Sequence, residues 1–152
     1  MAMSRGKIGE RMRAFAVACE RLGLKNTHQR AEIFRIVVST EEHPDVLSIF
    51  RRVKKRIPTI SLDTVYRNLK LLAEHGLISI LGMSQENLRF DGNVGPHHHF
   101  TCVKCGMISD FVSENIASLE APLEAKAFGT PLSLHVEVKG ICVACQKNKK
   151  RK

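Results

Sequence analysis

Two Cys-x-x-Cys pairs near the C-terminus limit the possible folds of this chain more than any other feature. Cys102 and Cys105 form the first pair, Cys142 and Cys145 form the second, and 36 residues separate the pairs. In a reducing compartment this spacing indicates metal binding, with a disulfide or a redox pair as the alternatives. Four thiolates complete a closed tetrahedral shell, so the pattern predicts a structural zinc site that adds folding free energy.

Length and hydropathy set further bounds. The 152 residues suffice for one domain or two small ones, and 43% of them are apolar, which is enough to bury a core. No apolar run approaches the roughly 18 residues of a membrane span, and the first residues lead into charged, helix-like sequence without the apolar segment of a signal peptide. We therefore expect a cytoplasmic protein that has no membrane partner.

The net charge of +9 is unevenly distributed along the chain. Residues 1–90 hold 16 Lys/Arg against 9 Asp/Glu, residues 91–146 hold 3 against 6, and the tail at 147–152 holds five further cations. A basic first half suits a polyanion and a histidine-rich second half suits cations, although a solvated basic face is the alternative. The pattern changes near 84–93, which predicts a hinge there and domains at 1–90 and 91–146. The basic tail at 147–152 is interpreted as a disordered, solubilising end, with nonspecific attraction to DNA as the alternative.

Apolar residues at helical spacing predict four helices in the first 76 residues. Thr27, Asp45 and Ser61 are positioned as N-caps, and Gly23 and Gly76 as C-caps. The expected buried stripes are Ile8, Met12, Phe15, Cys19 and Leu22 in the first helix and Leu62, Val65, Leu69 and Leu72 in the fourth. Because Cys19 lies on the stripe of the first helix, it is interpreted as a small core residue and not as a reactive or ligating thiol.

The fourth helix has the composition of a DNA-recognition helix. Opposite its apolar stripe it carries the hydrogen-bonding and cationic residues Thr64, Tyr66, Arg67, Asn68 and Lys70. By periodicity alone, a plain surface helix fits equally well. The segments LISIL and LRF, on either side of a polar GMSQEN turn, predict a two-stranded wing. Helices followed by such a hairpin predict a winged helix-turn-helix DNA-binding domain.

The second half of the chain changes to strand periodicity. The segments HHHFTCV and MISDFV predict short strands around the first cysteine pair, and LSLHVEVKGIC predicts a strand that runs into the second. Between them, ENIASLEAPLEAKAF predicts a helix. These elements make a small α/β domain, so the whole chain falls in the α+β class.

Three consecutive histidines offer ligands beyond those that one zinc ion needs. Side chains at i and i+2 of a strand share a face, so His97 and His99 can converge on one ion while His98 points to the other side. Two imidazoles need further ligands, and Asp91, Asp110 and His43 are the candidates. Taken singly, each of these three is more often a plain surface residue.

A series of motifs runs through the chain in a distinctive order. Its members are Thr27-His28-Gln29-Arg30, Glu42-His43-Pro44, Asp63-Thr64-Val65-Tyr66-Arg67-Asn68-Leu69, Arg89-Phe90-Asp91, His97-His98-His99, Cys102-x-x-Cys105-Gly106 and Gly140-x-Cys142-x-x-Cys145. This series resembles the ferric uptake regulator (Fur) family of metal-dependent repressors over essentially the whole chain. The resemblance implies a homodimer, with a winged-helix N-terminal domain and a C-terminal dimerisation domain, that binds a palindromic DNA operator when it is loaded with metal.

The resemblance also implies a regulatory metal site at the hinge. Its ligands would be His43, Asp91, His97, His99 and Asp110. Three imidazoles and two carboxylates suit Fe(II) or Mn(II), whereas four thiolates suit zinc, so the two shells can sort two metals. The first domain would then bind DNA when metal draws His43 toward ligands of the second.

Two aspartates bear on the subtype within the family. Asp91 in RFD and Asp110 in ISDF resemble the peroxide-sensing repressors, PerR, more than the iron-uptake repressors, which tend to have Glu at the latter position. This likeness implies that bound Fe(II) reacts with hydrogen peroxide and that His43 or His97 is oxidised. The alternative is an iron- or zinc-uptake regulator of the same family without peroxide sensing.

Some family members carry a second sensory site, and this chain departs from them at the corresponding positions. It has Pro96, His98, Ala117 and Leu134 there, and His135 is one residue out of step. No complete second site is therefore predicted.

Two functions of other classes are alternatives to a repressor. A zinc hydrolase would use the histidines to activate water, but five ligands leave little open coordination and no Glu is placed beside the histidines as in HExxH. A zinc-ribbon module for RNA or protein would leave the histidines incidental. The sequence therefore predicts a regulator and not an enzyme.

Overall fold

The structure is a computed structural model that describes residues 4–82, 88–132, 134 and 136–148. The chain forms two compact units that divide between Val94 and Gly95. Within the described ranges, no helix combines the length and the hydropathy needed to cross a bilayer. The tip of the expected wing (83–87), His135 and most of the basic tail (149–152) lie outside the described residues.

Four helices form most of the first unit: α1 (Arg5–Arg21), α2 (His28–Val38), α3 (Val46–Lys54) and α4 (Leu62–Glu74). The three N-caps predicted from the sequence are confirmed. The side chain of Thr27 accepts a hydrogen bond from the Arg30 amide at 3.2 Å, Asp45 accepts one from Ser48 at 2.7 Å, and Ser61 accepts one from Thr64 at 3.1 Å. Each bond satisfies a donor that the first helical turn leaves free, so these helices begin where the sequence predicted.

Two glycines end helices α1 and α4, each one residue beyond the cap. Gly23 and Gly76 both have a φ of 66°, a left-handed conformation that costs glycine little. After α1, the Gly23 amide donates to Glu20 O at 3.1 Å and the Leu24 amide donates to Cys19 O at 2.8 Å. This pair of bonds is a Schellman motif, and α4 ends in the same way.

The apolar core lies in the first unit and joins all four helices to the wing. Its buried members are Phe15, Cys19, Ile33, Phe34, Ile36, Val37, Val38, Ile49, Val53, Ile60, Val65, Leu69, Leu72, Ile78 and Phe90. The predicted stripes were wrong at their ends, since Leu22 is 36% exposed and Leu62 is 40% exposed. Leu22 is the C-cap residue of α1, and Leu24, two residues later, is the leucine that packs against the core. Leu62 is the first residue of α4.

A two-stranded antiparallel wing follows α4, as predicted. Strand β1 (Ser79–Leu81) pairs with β2 (Arg89–Asp91), and Ile80 lies opposite the buried Phe90. The Phe90 amide also donates to Pro44 O at 3.0 Å, which joins β2 to the loop before α3. Four helices and this hairpin make the winged-helix unit, and Asp91 is its last strand residue.

The second unit is a three-stranded sheet with short helices. Strand β3 (His98–Cys102) lies at its centre, antiparallel to β4 (Ile108–Phe111) and parallel to β5 (Glu137–Gly140). Helices α5 (Glu114–Ala117) and α6 (Leu123–Lys126) lie between β4 and β5 in the chain, and α7 (Val143–Asn148) follows β5. The α+β class expected from the sequence is therefore confirmed.

Two predictions for the second unit were wrong in detail. One helix was expected over 114–128, but the structure has the single turns α5 and α6. Pro122 precedes α6 with φ of −64° and has no amide hydrogen for a continuous helix. Of the described residues in the expected strand at 132–142, only those of β5 are in a strand, and α7, which was not predicted, begins directly after Cys142.

The second unit buries few side chains. Among its described residues only His97, Cys102 and Cys142 are buried. Phe128 and Leu132 are 93% and 96% exposed. So small an apolar interior contributes little folding free energy, and such a unit depends on bound metal or on a partner surface for stability.

Candidate metal centres and DNA-binding helix

The four paired cysteines converge at one end of the sheet of the second unit. Cys102 ends β3 and Cys105 lies in the turn that follows, while Cys142 immediately precedes α7 and Cys145 lies within it. The pairing of β3 with β5, which places Cys102 opposite Gly140, brings the second pair beside the first. All four sulfurs lie within 4.8 Å of one another.

The spacing of these sulfurs fits a tetrahedral ion. Zinc–sulfur bonds of about 2.3 Å give tetrahedron edges of about 3.8 Å, and the Sγ atoms of Cys105 and Cys142 are 3.7 Å apart. All four thiols are free of disulfide bonds. The predicted ligands therefore lie together as free thiols, the form from which metal binding proceeds.

Hydrogen bonds divide the protons unequally within this thiol cluster. The Cys142 amide, 3.3 Å from Cys102 Sγ, is the main cause of the lowering of the Cys102 pKa from 9.0 to about 6. Hydrogen bonds with Cys142 and Cys105 raise the pKa of Cys145 to about 12. The Cys102 thiolate thus forms more readily than that of Cys145, and a bound divalent cation would favour the thiolate form of its ligands.

In the first unit, His43 and Asp91 form a buried pair. Their exposed fractions are 1% and 5%, and His43 Nε2 lies 3.9 Å from Asp91 Oδ2. His43 has a φ of 49°, a left-handed conformation that is uncommon for a residue with a side chain and is often found at functional sites. The other carboxylate oxygen, Asp91 Oδ1, accepts a hydrogen bond from the Asn93 amide at 2.7 Å. The carboxylate is therefore oriented by the chain that follows it.

In the second unit, His97, His99 and Asp110 form another cluster. The two Nε2 atoms of His97 and His99 are 2.9 Å apart, and they lie 3.8 Å and 3.4 Å from Asp110 Oδ1. The register of β3 and β4 places His99 directly opposite Asp110. Two nitrogen ligands at right angles, each about 2.1 Å from an ion, lie about 3.0 Å apart, so the imidazole spacing fits a shared metal.

The orientation of His97 depends on a carbonyl that the sequence did not single out. His97 Nδ1 lies 2.8 Å from Gly95 O, so an Nδ1–H donor to this carbonyl leaves Nε2 available as a ligand. His98 turns the other way, with its ring 5.6 Å from the ring of Phe111. The alternation predicted from strand geometry is thus confirmed.

Helix α4 presents three of the five predicted DNA-contacting residues to solvent, namely Tyr66, Arg67 and Lys70. Thr64 and Asn68 are half-buried. Asn68 Oδ1 accepts a hydrogen bond from Arg30 Nε at 3.1 Å, and its Nδ2 donates to Thr64 O at 2.8 Å. A base contact by Asn68 would therefore replace one of these bonds, whereas Arg67 makes an exposed pair with Asp63 at 2.9 Å, which DNA could displace at little cost.

Arg11 makes a hydrogen bond to the backbone of Gly92 that the sequence did not reveal. Its Nη1 donates to Gly92 O at 2.7 Å, directly beside Asp91. These residues are 81 positions apart, and no spacing rule connects them. In the sequence, Arg11 was only one of several cations in the first helix.

Comparisons of sequence and of structure with known proteins lead to the same family. Residues 21–138 match the ferric uptake regulator family. The peroxide-responsive repressor PerR of Staphylococcus epidermidis is 30% identical over 124 residues, which cover 82% of this chain and 83% of that protein.

Solved structures resemble this chain over most of its length. The peroxide stress regulator of Campylobacter jejuni is similar with a TM-score of 0.64 and 28% identity, over 94% of this chain and 100% of that one. The ferric uptake regulator Fur of Helicobacter pylori, which has three functional metal binding sites, has a TM-score of 0.74 over 96% of this chain and 97% of that one. Its identity of 22% makes this a likeness of fold.

Proposed function

Because this chain belongs to the ferric uptake regulator family, we propose that it is a dimeric repressor that binds a palindromic DNA operator when Fe(II) or Mn(II) is bound, and that peroxide releases it from DNA. As a member of that family it is a metal-responsive transcriptional regulator and not an enzyme. One observation carries the proposal. A chain with a winged-helix unit also holds a cluster of four thiols and, apart from it, imidazole–carboxylate clusters.

The thiolate cluster is assigned a structural zinc ion. Four sulfurs close the coordination shell, so this ion has no open position for substrate or water. Few of the described side chains in the second unit are buried, which supports the assignment, because zinc binding would supply folding free energy that their apolar burial does not.

The regulatory ion is assigned to His43, Asp91, His97, His99 and Asp110. This ligand set follows from the family resemblance, and the close pairs within each unit support it. Nitrogen and oxygen ligands in these numbers favour Fe(II) or Mn(II) over the thiophilic metals. Since His43 and Asp91 belong to the first unit and the other ligands to the second, binding of one ion by all five would favour one arrangement of the units and thereby control DNA affinity.

The second unit is assigned the role of dimerisation. Its large apolar side chains Val112, Leu123, Phe128 and Leu132 are 76–96% exposed. Apolar surface of this extent in a single chain is typical of a protein–protein interface. A dimer also matches the two-fold symmetry of a palindromic operator.

DNA recognition is assigned to α4 in the major groove. Arg67 and Lys70 supply cations and donors, Tyr66 supplies a phenol, and Thr64 lies in the first turn. The basic surplus of residues 1–90 would attract the phosphate backbone.

Peroxide sensing is supported by Asp91, by Asp110 and by the 30% identity to a peroxide-responsive repressor. With Fe(II) held by these residues, peroxide would be reduced at the expense of a ligand imidazole: one peroxide oxygen would be added to the ring and the other would leave as water. Mn(II) does not readily start this reaction. The proposed oxidation targets are His43 and His97. Both residues are buried, and an oxygen added to either ring would weaken it as a metal ligand.

The test begins with an operator selected from random duplex DNA by the Mn(II)-loaded protein. Affinity for that DNA is then measured for the anaerobic Fe(II) form and the Mn(II) form before and after a low dose of peroxide, with mass spectrometry of the peptides that contain His43 and His97. Loss of DNA by the iron form alone, with an oxygen added to one of these histidines, is the expected result. Retention of DNA by both forms would instead favour an iron- or zinc-uptake regulator on the same scaffold.

A further inference from the structure

Arg11 connects the N-terminal helix to the residue that follows a proposed metal ligand. The guanidinium Nη1 of Arg11, in α1, lies 2.7 Å from the carbonyl oxygen of Gly92. Gly92 is buried and Arg11 is half-buried. A charged donor to a buried carbonyl makes one of the stronger kinds of hydrogen bond and is costly to remove without replacement.

The backbone of Gly92 is also packed directly against α2. A Cβ atom at this position would lie 2.8 Å from Val38 Cα, 2.9 Å from Val38 Cγ1 and 3.1 Å from Val37 O. Two of these three atoms belong to the backbone of α2, so the helix could not yield by a simple change of rotamer. The Gly92 peptide is therefore held by α2 through packing and by α1 through Arg11.

This peptide in turn determines the direction of the Asp91 carboxylate. Asp91 Oδ1 accepts from the Asn93 amide at 2.7 Å, which closes a turn around Gly92. The remaining oxygen, Oδ2, is the one that faces His43 Nε2 at 3.9 Å. A shift or rotation of the Gly92 peptide would move the Asn93 amide and, with it, the oxygen that faces His43.

We propose that Arg11 is a positioning residue for the regulatory metal, which holds the Asp91–Gly92–Asn93 turn so that Asp91 Oδ2 is directed toward His43 before metal arrives. The inference deepens the proposed function and rests on it, since it assigns to α1 a part in metal affinity. Groups that orient a metal ligand commonly affect affinity by about 10- to 100-fold, because a ligand that is not held in place must be ordered when the metal binds.

The test compares four variants of the full-length, zinc-loaded protein. Arg11→Met keeps an unbranched stem and removes the donors, whereas Arg11→Lys retains a cation that can donate to Gly92 O. Arg13→Met is the matched control, because Arg13 is exposed on the same helix. Asp91→Asn tests the proposed ligand itself. The Kd for Mn(II) is measured by competition with a chelator, and amide hydrogen exchange of Asn93 is measured in protein without Mn(II).

We expect Arg11→Met to raise the Kd for Mn(II) about tenfold and to accelerate exchange of the Asn93 amide, with a smaller effect of Arg11→Lys and no effect of Arg13→Met. The exchange measurement needs no regulatory metal, so it separates positioning of Asp91 from any later step. If Asp91→Asn weakens Mn(II) binding but Arg11→Met leaves both the Kd and the exchange rate unchanged, the role of Arg11 is overturned. Equal losses for Arg11→Met and Arg11→Lys would also overturn it, since a retained donor should rescue part of the affinity.

Failure of the proposed function would look different. If Asp91→Asn itself bound Mn(II) as tightly as the natural sequence, the assignment of Asp91 to the regulatory site would be wrong whatever Arg11 did. Melting of each variant without Mn(II) provides the remaining comparison. A variant that merely loosens α1 would lower the melting temperature and leave the exchange of the Asn93 amide unaltered relative to the exchange of the β2 amides, and this too would count against the inference.

Discussion

His97 and His99 bring their Nε2 atoms to 2.9 Å from each other, while His98 between them turns its ring onto Phe111. The alternation is a property of extended backbone, in which successive side chains point to opposite faces. His97 and His99 are thus candidate metal ligands, and His98, which has the same side chain but faces the other way, is a control residue for mutations of either one.

That division leads to the first prediction. His97→Ala and His99→Ala should each weaken Mn(II) binding by more than about tenfold and abolish metal-dependent operator binding, because each removes a proposed ligand. His98→Ala should leave both properties within about twofold of the natural protein, since its ring faces away from Asp110. Chelator competition and DNA titration measure the two effects. An equal loss in all three variants would contradict the assignment.

The thiol cluster predicts a different outcome. Cys142→Ser should lower the zinc content from about one ion per chain toward zero and should unfold or monomerise the second unit, because three thiolates no longer close the shell. Cys19→Ala is the control: it should keep its zinc and lose only about 1 kcal/mol of stability from a small core cavity. Zinc analysis, sedimentation and thermal melting report these results. An unchanged melting curve for Cys142→Ser would count against structural zinc.

Arg67 tests the assignment of α4 to the major groove. Its salt bridge with Asp63 is 71% exposed on both sides, so removing it should cost the fold less than about 1 kcal/mol. Arg67→Ala should nevertheless weaken operator binding by about 1–3 kcal/mol if the guanidinium contacts a base. Lys126→Ala, in the second unit, is the control. A loss that is equal on operator and random DNA, with a smaller salt dependence, would make Arg67 a phosphate contact instead.

Asp110 tests the proposed peroxide response. Asp110→Glu should keep Mn(II)-dependent DNA binding, because a carboxylate is retained, and should blunt the release of DNA by peroxide from the Fe(II) form. The longer side chain would change the position of its oxygen relative to His97 and His99, now 3.8 Å and 3.4 Å away. Dose–response curves with peroxide, with the Mn(II) form as the control, measure the effect. Equal sensitivity in both proteins would remove Asp110 as an indicator of the peroxide-sensing subtype.

Local features of the fold could be predicted because their causes are local. The N-caps at Thr27, Asp45 and Ser61 each bond to an amide three residues away, and the wing follows from two short apolar segments. The prediction of a single helix failed where a proline interrupts a helix-like segment. The apolar spacing over 114–128 suggested one helix, although Pro122 lies within it and cannot donate the bond that a continuous helix needs.

The hydrogen-bond partners of a side chain were harder to predict than its position on a helix. Asn68 was correctly placed on α4 among the polar residues, yet both ends of its amide are bonded, to Arg30 and to Thr64. Which partner a polar side chain selects depends on the element that packs beside it. The periodicity of one helix carries no information on that neighbour.

By itself, the sequence determined which ligand atoms this protein has and which of them share a face: two thiol pairs, and alternating imidazoles at the start of one strand. Only the tertiary structure decided that thiols separated by 36 residues meet at one point, and that Arg11 reaches a carbonyl 81 positions away. The physical reason is one of range. Helix and strand periods fix relations over a few residues, whereas distant contacts depend on how whole elements pack, which no short stretch of sequence encodes.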